Sequence, residues 1–586
     1  MNKRAAYLIC GATLFLLGIF LPREWYDALP QSKEPLPIPP IKGVTLLQIL
    51  LVIEGLALIW LSSLRSRFVQ LPSDQCLPQT VLREESQDIS RRASFWLLSG
   101  ITAVAFILRS IHLGADLWLD EITPILDYRD MPVVYIVTSY ISSNNHLLST
   151  LLMKLVLAIF GEQAWALRLP AMLFGTATIP AIYWVSRLVL SRRVSLCGAL
   201  LMAVSYHHIF FSQNARGYTA YLFFSILSSG FLIKGIREDQ LRYWILYVVT
   251  MFLNFASLLD SIFVLVAHVV VALIAIVAVR RNGGSALPLA RRLGAVFAVT
   301  GVAVLNLYIT MAPQFYVYSK TVYRDPAVGF SPFSAEFLGE LARGLSAGLG
   351  KGLFLIIVPF LLVGAAGFLS LFRKQWALTL SLTLPGVLTA SFLIAQRLDF
   401  SPRFFLLWLP LAMLVAVHGI DRVVTLATHN LSPPARRFGP HAVTALVLIG
   451  VALSLCSLRG YYLVPKQSYR ASLQYLVAHR QPTQPIITIY LAEHGYRFYG
   501  KQFGLKENAD WFPVRSVESL DSVLSKNPGQ PSIAVTTFAR ALRISRPDLF
   551  KRIVEGWTLE RTFPATIGDG EISVWKQRRN VAESMP

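Results

Sequence analysis

Blocks of roughly 20 apolar residues, separated by short charged joints, recur along most of this chain, and that is the length a helix needs to cross a bilayer. Each backbone polar group inside a bilayer must be satisfied within its own segment, so a chain patterned this way folds as a bundle of helices. Composition agrees: of 586 residues, 54% are hydrophobic and only 15% charged. A soluble multidomain enzyme, a disordered chain and a fibre are excluded. The formal net charge of +21 would suggest nucleic acid on a soluble protein. Here the basic residues sit at helix ends, where cytoplasmic joints carry them. The bilayer is the expected partner, and nucleic acid is not.

The apolar blocks predict thirteen spans, at about 5–21, 44–64, 94–113, 165–188, 194–211, 218–236, 242–259, 261–279, 293–311, 352–372, 376–395, 404–420 and 441–459. Every second joint is basic: Arg65, Arg67, Arg83, Arg91 and Arg92 follow the second span, Arg187, Arg192 and Arg193 the fourth, and Arg280, Arg281, Arg291 and Arg292 the eighth. The same holds for Lys234, Arg237 and Arg242 after the sixth, Arg373 and Lys374 after the tenth, and Arg422, Arg436 and Arg437 after the twelfth. The positive-inside rule puts these joints in the cytoplasm. The run Leu147–Phe160 is apolar but short for a span. A crossing there would invert the alternation, so it reads as a juxtamembrane helix on the outer face, within a long loop 114–164. The N-terminus is then cytoplasmic and the C-terminus outside, in a multi-pass protein of the cell inner (plasma) membrane. The opening Met1-Asn2-Lys3-Arg4 and its apolar run resemble a signal peptide, but Leu21-Pro22-Arg23 follows without a small-residue cleavage site. The segment reads as a retained first span.

After residue 460 the pattern changes in kind. Helical stretches (Tyr469–His479, Val517–Ser525, Phe538–Arg543) alternate with β-rich runs (Ile486–Tyr490, Ser532–Thr537, Thr558–Phe563, Ile572–Lys576). The fold class expected is a polytopic α-helical membrane protein with a small C-terminal extracytoplasmic α/β domain. Three units follow: residues 1–93 with two extra spans and a cytoplasmic joint, 94–460 as the main transmembrane body, and 461–586 as the outer domain. Cys10, Cys76, Cys197 and Cys456 have no near partners in sequence, so neither a disulfide framework nor a CxxC zinc site is indicated.

Long loops on a rigid scaffold are where function concentrates. The first long loop opens Gly114-Ala-Asp-Leu-Trp-Leu-Asp-Glu121 and places Asp120 and Glu121 just past a span. A carboxylate there can take a proton from an attacking hydroxyl or amine, although an acid in a first helical turn also serves the helix dipole. Asp116 and Asp127 are the fallback acids. The loop ends with Asn145 and His146 at the start of the short apolar helix, as site residues or as a cap. Arg216, in Ser212-Gln-Asn-Ala-Arg-Gly-Tyr218, stands where the chain turns back into the membrane. A guanidinium at that depth needs a cavity or partner. A phosphate fits its fork, and snorkelling to lipid headgroups is the alternative. Arg397 and Arg403 depart from the basic-inside trend, which favours anion binding. The Gly344–Gly352 run fails the Walker spacing, although its Lys351 is within reach of a lipid phosphate. His207-His208 lacks a third metal ligand at suitable spacing. Glu54 is a lone acid in the second span.

In this order the residues resemble the GT-C superfamily of membrane glycosyltransferases, in the branch of the protein O-mannosyltransferases and lipid A aminoarabinose transferases. The carriers are Asp120-Glu121, Asn144-Asn-His146, Gly161 with Arg168-Leu-Pro170, Ser212-Gln-Asn-Ala-Arg-Gly-Tyr218 and Pro402-Arg-Phe404. The resemblance spans 94–260 closely and extends more loosely to about 420. His146 is followed by Leu-Leu where the family pattern has Pro-Pro, and the first two spans are additional. The resemblance implies an inverting glycosyltransferase that moves a sugar from a polyprenyl-phosphate donor to a protein, lipid or glycan acceptor on the outer face. It implies Asp120 as base with Glu121 in support. It also implies donor-phosphate binding by Arg216, Tyr218 and Arg403, to which charge and position add Arg397 and Lys351, and site shaping by Asn145, His146 and Gln213. No Asp-x-Asp occurs in the chain. No cofactor is indicated, and the sequence leaves a divalent metal open. The competing functions are a lipid-linked sugar flippase or transporter, which predicts an internal repeat that is not found, and an O-antigen-type ligase, which predicts a large late loop where this chain has an early one.

Overall fold

The computed structural model describes residues 3–22, 40–63, 89–142, 144–321, 334–335, 338, 354–396, 402–429, 432, 438–527 and 531–578. The chain is a polytopic helical membrane protein ending in a mixed α/β sheet. In chain order the helices are α1 (Lys3–Phe20), α2 (Pro40–Ser63), α3 (Arg91–Ser110), α4 (Leu119–Tyr128), α5 (Val133–Thr138), α6 (Leu147–Phe160), α7 (Ala164–Ser186), α8 (Arg192–Val204), α9 (Tyr206–Ser212) and α10 (Tyr218–Glu238). There follow α11 (Leu241–Ser257), α12 (Ser261–Arg281), α13 (Leu287–Tyr308), α14 (Ala312–Thr321), α15 (Phe354–Ala395), a 3₁₀ turn (Pro402–Phe405), α16 (Trp408–Thr428) and α17 (Gly439–Leu463). Among the described residues nine helices are long and apolar enough to cross a membrane, or ten if the bent pair α8–α9 counts as one span. The expected thirteen includes α1 and α11, whose apolar stretches are shorter. It also counts α15 as two. At 42 residues, broken by non-helical backbone at Gln375, α15 is about twice the length that one crossing needs.

Small residues set the first contact. A Cβ on Gly11 would stand 2.8 Å from the Gly55 carbonyl oxygen, and one on Gly18 2.8 Å from that of Gln48. The two helices therefore run antiparallel with their backbones in close approach, as small residues allow in membranes. Glu54 of α2 accepts from Asn306 Nδ2 of α13 at 2.7 Å, so the additional spans are tied to the main body by a polar bond. The most enclosed helix is α10. Its Ser225 bonds Asn254 of α11, and its Ser229 meets His268 of α12 at 3.1 Å.

The expected span 194–211 is not one straight helix. It bends by 59° between α8 and α9. A break at this depth strands carbonyls that lipid cannot satisfy. Arg109 of α3, fully buried, donates to the oxygen of Ala203 at 2.9 Å and reaches that of Met202 at 3.5 Å. Ser454 of α17 donates to Val204 O at 2.8 Å. Arg109 also donates to Ser212 Oγ at 3.1 Å and lies 2.6 Å from His208 Nδ1, which holds α9 in place.

The C-terminal part continues with α18 (Tyr469–His479), β1 (Ile486–Ile489), α19 (Ala492–Tyr499), β2 (Trp511–Val514), α20 (Val517–Lys526), β3 (Ile533–Thr537), α21 (Ala539–Ser545), α22 (Pro547–Gly556), β4 (Trp557–Phe563) and β5 (Ile572–Gln577). Strand order is β2-β1-β3-β5-β4, with the first three parallel and the last two pairings antiparallel. The central runs Ile-Ile-Thr-Ile and Ile-Ala-Val-Thr-Thr are buried throughout, as parallel strands covered on both faces are. The predicted helices and strands fall here within a residue or two. The elements additional to that reading are β2, α19 and α22.

Candidate functional site

The loop between α3 and α4 is pinned from three sides. Arg168 of α7 donates through Nε and Nη2 to the two oxygens of Glu121, both at 2.7 Å. Its remaining N–H groups go to the carbonyls of Leu113, Ala115 and Asp116 at 2.8–2.9 Å. Glu121 also accepts from Ala215 N at 2.7 Å and Trp118 N at 3.2 Å. Burial works against its ionisation, but Arg168, Lys466 and the Ala215 N–H together hold its pKa below the usual carboxylate value. The C-terminal part supplies the third side. The Leu117 N–H donates to the Tyr499 hydroxyl at 2.7 Å, Leu119 N–H to Gln467 Oε1 at 2.7 Å, and Arg470 N–H to Asp116 Oδ2 at 2.8 Å.

With the loop fixed, Asp120 projects toward the other side. Its Oδ2 lies 3.3 Å from Arg403 Nη1, in the 3₁₀ turn, and its side chain keeps 19% exposure. Arg216 Nη1 donates to the backbone oxygens of Asp120, at 3.2 Å, and Asn144, at 3.3 Å. The residue is 5% exposed, and its Nε has no hydrogen-bond partner among the described residues. Arg216 Nη2 lies 3.1 Å from His146 Nε2. The Gly217 N–H donates to His146 Nδ1 at 3.0 Å, which puts the proton of the neutral ring on Nε2. Two donors then face one another across 3.1 Å. Burial, together with the charges of Arg216 and Arg403, pushes His146 well below its ordinary pKa, so the ring is neutral. Gly217 is required here: a Cβ would stand 2.3 Å from Ser257 O and 3.0 Å from His146 Nδ1. The Tyr218 ring meets the His146 ring edge-on at 5.4 Å.

Asp120, Arg216, Arg403, His146 and Tyr218 therefore come together. Asn145 and Gln213 lie behind them with their side chains already engaged. Asn145 donates to Ile136 O and accepts from Thr150. Gln213 donates to the oxygens of Arg109 and Ile111 and accepts from Tyr461. Asp116 faces Arg470, and Asp127 accepts from Ser142 at 3.3 Å. Arg397 and Lys351 fall outside the described residues. Among the described residues no three metal-ligating side chains cluster, and the positive charge here comes from guanidinium groups.

One acid escaped the sequence reading. Asp260 forms the turn between α11 and α12, three residues past the Ser257 carbonyl that packs on Gly217. Burial raises its pKa to about 6, with the Arg403 charge opposing. Its signal was legible as a lone carboxylate in a one-residue joint on the same side as the long loop.

Residues 146–310 match the family model described as dolichyl-phosphate-mannose-protein mannosyltransferase. That stretch holds His146, Arg168 and Arg216, and the resemblance to GT-C membrane glycosyltransferases is borne out by it. Among solved structures, the chain is similar to ArnT from Cupriavidus metallidurans in the apo state, with 12% identity, 82% of this chain and 97% of that one covered, and a TM-score of 0.48. It is also similar to the oligosaccharyltransferase AglB from Archaeoglobus fulgidus in complex with an inhibitory peptide and a dolichol-phosphate, with 11% identity, 85% and 75% coverage and a TM-score of 0.48. For the arabinosyltransferase EmbB from Mycobacterium smegmatis the values are 12%, 73% and 46%, and 0.40. No curated protein matches the sequence.

Proposed function

We propose that this chain, which carries the 146–310 segment of the dolichyl-phosphate-mannose-protein mannosyltransferase family, is an inverting glycosyltransferase that uses a polyprenyl-phosphate sugar. The observation that carries the reading is the Asp120 carboxylate held against Arg403, with Arg216 bonded to the same residue from behind. An acceptor hydroxyl or amine attacks the anomeric carbon and gives its proton to Asp120. The bond from that carbon to the donor phosphate oxygen breaks, and its electron pair leaves on the phosphate. Arg403 and Arg216 stabilise that charge as it develops. An oxygen of the phosphate placed between Arg216 Nη2 and His146 Nε2 accepts from both and relieves their donor–donor contact. Arg403 then moves from Asp120 to the phosphate and leaves the carboxylate free as a base. Glu121, saturated by Arg168 and two backbone N–H groups, acts by holding the loop. The basic joints support a site on the outer face. There a lipid-borne donor lies among the helix ends and an acceptor protein, lipid or glycan approaches from water. Leu155 and Ile159 of α6 are exposed at 56% and 62%, as suits a helix lying in the interface.

The experiment uses the purified chain in lipid nanodiscs with a radiolabelled polyprenyl-phosphate sugar and a membrane extract as acceptor, following release of polyprenyl phosphate. Release by the wild type that collapses in Asp120→Asn and in Arg403→Ala supports the reading. Release that is unchanged in both variants overturns it.

A further inference from the structure

A cavity lies behind the pinned loop, between the ends of α3 and α17 and the start of α18. Its volume is about 370 Å³, within the range of small-ligand pockets. Arg168, Lys466, Arg470, Asp116, His112 and Tyr462 line it. Their charges do not balance. Glu121 answers Arg168 at 2.7 Å, and Asp116 answers Arg470 at 3.5 Å. Lys466, only 4% exposed, pairs with no carboxylate of its own among the described residues: it donates to the carbonyls of Phe210 and Gln213, lies over the Phe210 ring at 4.6 Å, and feels the charge of Glu121, whose two oxygens are already taken by Arg168. Three cations, Arg168, Lys466 and Arg470, thus face two carboxylates, Glu121 and Asp116. The Arg470 guanidinium meets Asp116 through Nε at 3.5 Å, and its face lies over the Tyr499 ring at 5.1 Å. A buried excess of positive charge is costly, and an anion in the cavity reduces that cost.

The position narrows the ligand. α3 ends at Ser110 and α17 at Leu463, so the cavity opens where two membrane helices leave the bilayer. Its rim is aromatic, with the His112 ring stacked on Tyr462 at 6.2 Å, and rings of this kind favour the headgroup level.

We propose that this cavity binds a phosphate group through Lys466 and Arg470, carried either by an anionic lipid headgroup or by a free phosphate. Burial lowers the Lys466 pKa to about 7, with Glu121 opposing and Arg168 adding to the effect. An arriving anion therefore readily draws a proton onto it. The inference stands apart from the transferase reading, because neither donor belongs to the Asp120 site.

The test uses the full chain in nanodiscs of phosphatidylcholine, alone or mixed with phosphatidylglycerol. Native mass spectrometry reads the retained lipid, and calorimetry with inorganic phosphate is run in the phosphatidylcholine discs. Preferential retention of phosphatidylglycerol, weakened at least about tenfold by Lys466→Met, supports the headgroup source. Saturable phosphate binding weakened to the same degree supports the free-phosphate source. Arg470→Gln keeps the Lys466 bonds and the backbone N–H to Asp116, so it provides the same readout should Lys466→Met fail to fold. Absence of both binding events, or binding that neither variant weakens, overturns the proposal.

Discussion

Asp120 and Glu121 are adjacent in sequence, and their surroundings separate them. Glu121 has both oxygens on one guanidinium and 1% exposure, whereas Asp120 remains partly open with a single long contact to Arg403. Glu121→Gln therefore leaves a buried Arg168 unanswered and should cost about 3–5 kcal/mol of stability, seen as a lowered thermal midpoint. Asp120→Asn should keep the wild-type midpoint and lose on the order of 10²–10⁴ in rate. An Asp120→Asn protein with normal turnover would move the search for the base elsewhere. Asp260 adds a pH dependence. Its pKa is raised to about 6, so it is neutral below that value and charged above it. The charged form lies close enough to Arg403 to compete with a donor phosphate, while His146 stays neutral throughout. Donor KM should fall as pH is lowered through about 6, and Asp260→Asn should keep the low KM on both sides. An Asp260→Asn protein that retains the wild-type profile would exclude this residue. The sequence pointed to the acids of the long loop because their position relative to the spans can be read from order alone. Spacing alone did not choose between the two, and only the family resemblance favoured Asp120 as base; the difference in their surroundings depends on Arg168, 47 positions downstream of Glu121.

At the scale of elements, most helices were legible because an apolar run of about 20 residues has few alternatives. The breaks were not. The bend at Ser205 depends on Arg109, 94 positions before Ala203, and on Ser454, 250 positions after Val204, and no local pattern at 200–210 reports them. Arg109→Met should strand the carbonyls of Met202 and Ala203 at about 1–3 kcal/mol for each group left unsatisfied. The expected result is a lower thermal midpoint in detergent, with partial recovery in Arg109→Lys. A Met variant as stable as wild type would show that the break is held by packing alone. In the C-terminal part, β1 and β3 were legible as short apolar runs. β2 was hidden by Pro513, which argues against a strand except at an edge, and the edge is where β2 lies. At the opposite edge, β4 exposes Glu560 and Arg561 in its outer stretch, a charge pattern that discourages pairing with another chain.

At the scale of the whole molecule, the bundle has two ends of different character. One end collects the pinned loop, the α9–α10 turn, the α11–α12 turn at Asp260, the 3₁₀ turn and the C-terminal part. These are joined through contacts such as Gln467 with Leu119 and Arg403 with Asp120. The other end carries Arg187 with Arg192, Arg237 with Arg242, and Arg280 with Arg281 at the termini of α7, α8, α10, α11 and α12. The positive-inside rule assigns that basic end to the cytoplasm, and it fixes the opposite end only if the helices between them cross. α12 tests this directly. It runs from the Asp260 turn to Arg281 in 21 residues with no Asp, Glu, Lys or Arg before Arg280, about 30 Å of helix and the thickness of the hydrocarbon core. Gly460 lies three residues before the end of α17, and four residues beyond that end Gln467 reaches the pinned loop. Reporter fusions truncated after Arg281 and after Gly460 should therefore have opposite sidedness, with Arg281 inside and Gly460 outside. The same sidedness at both positions would mean that α13, α15, α16 and α17 do not make the five crossings between them, and the two ends of the bundle would not face opposite sides of the membrane.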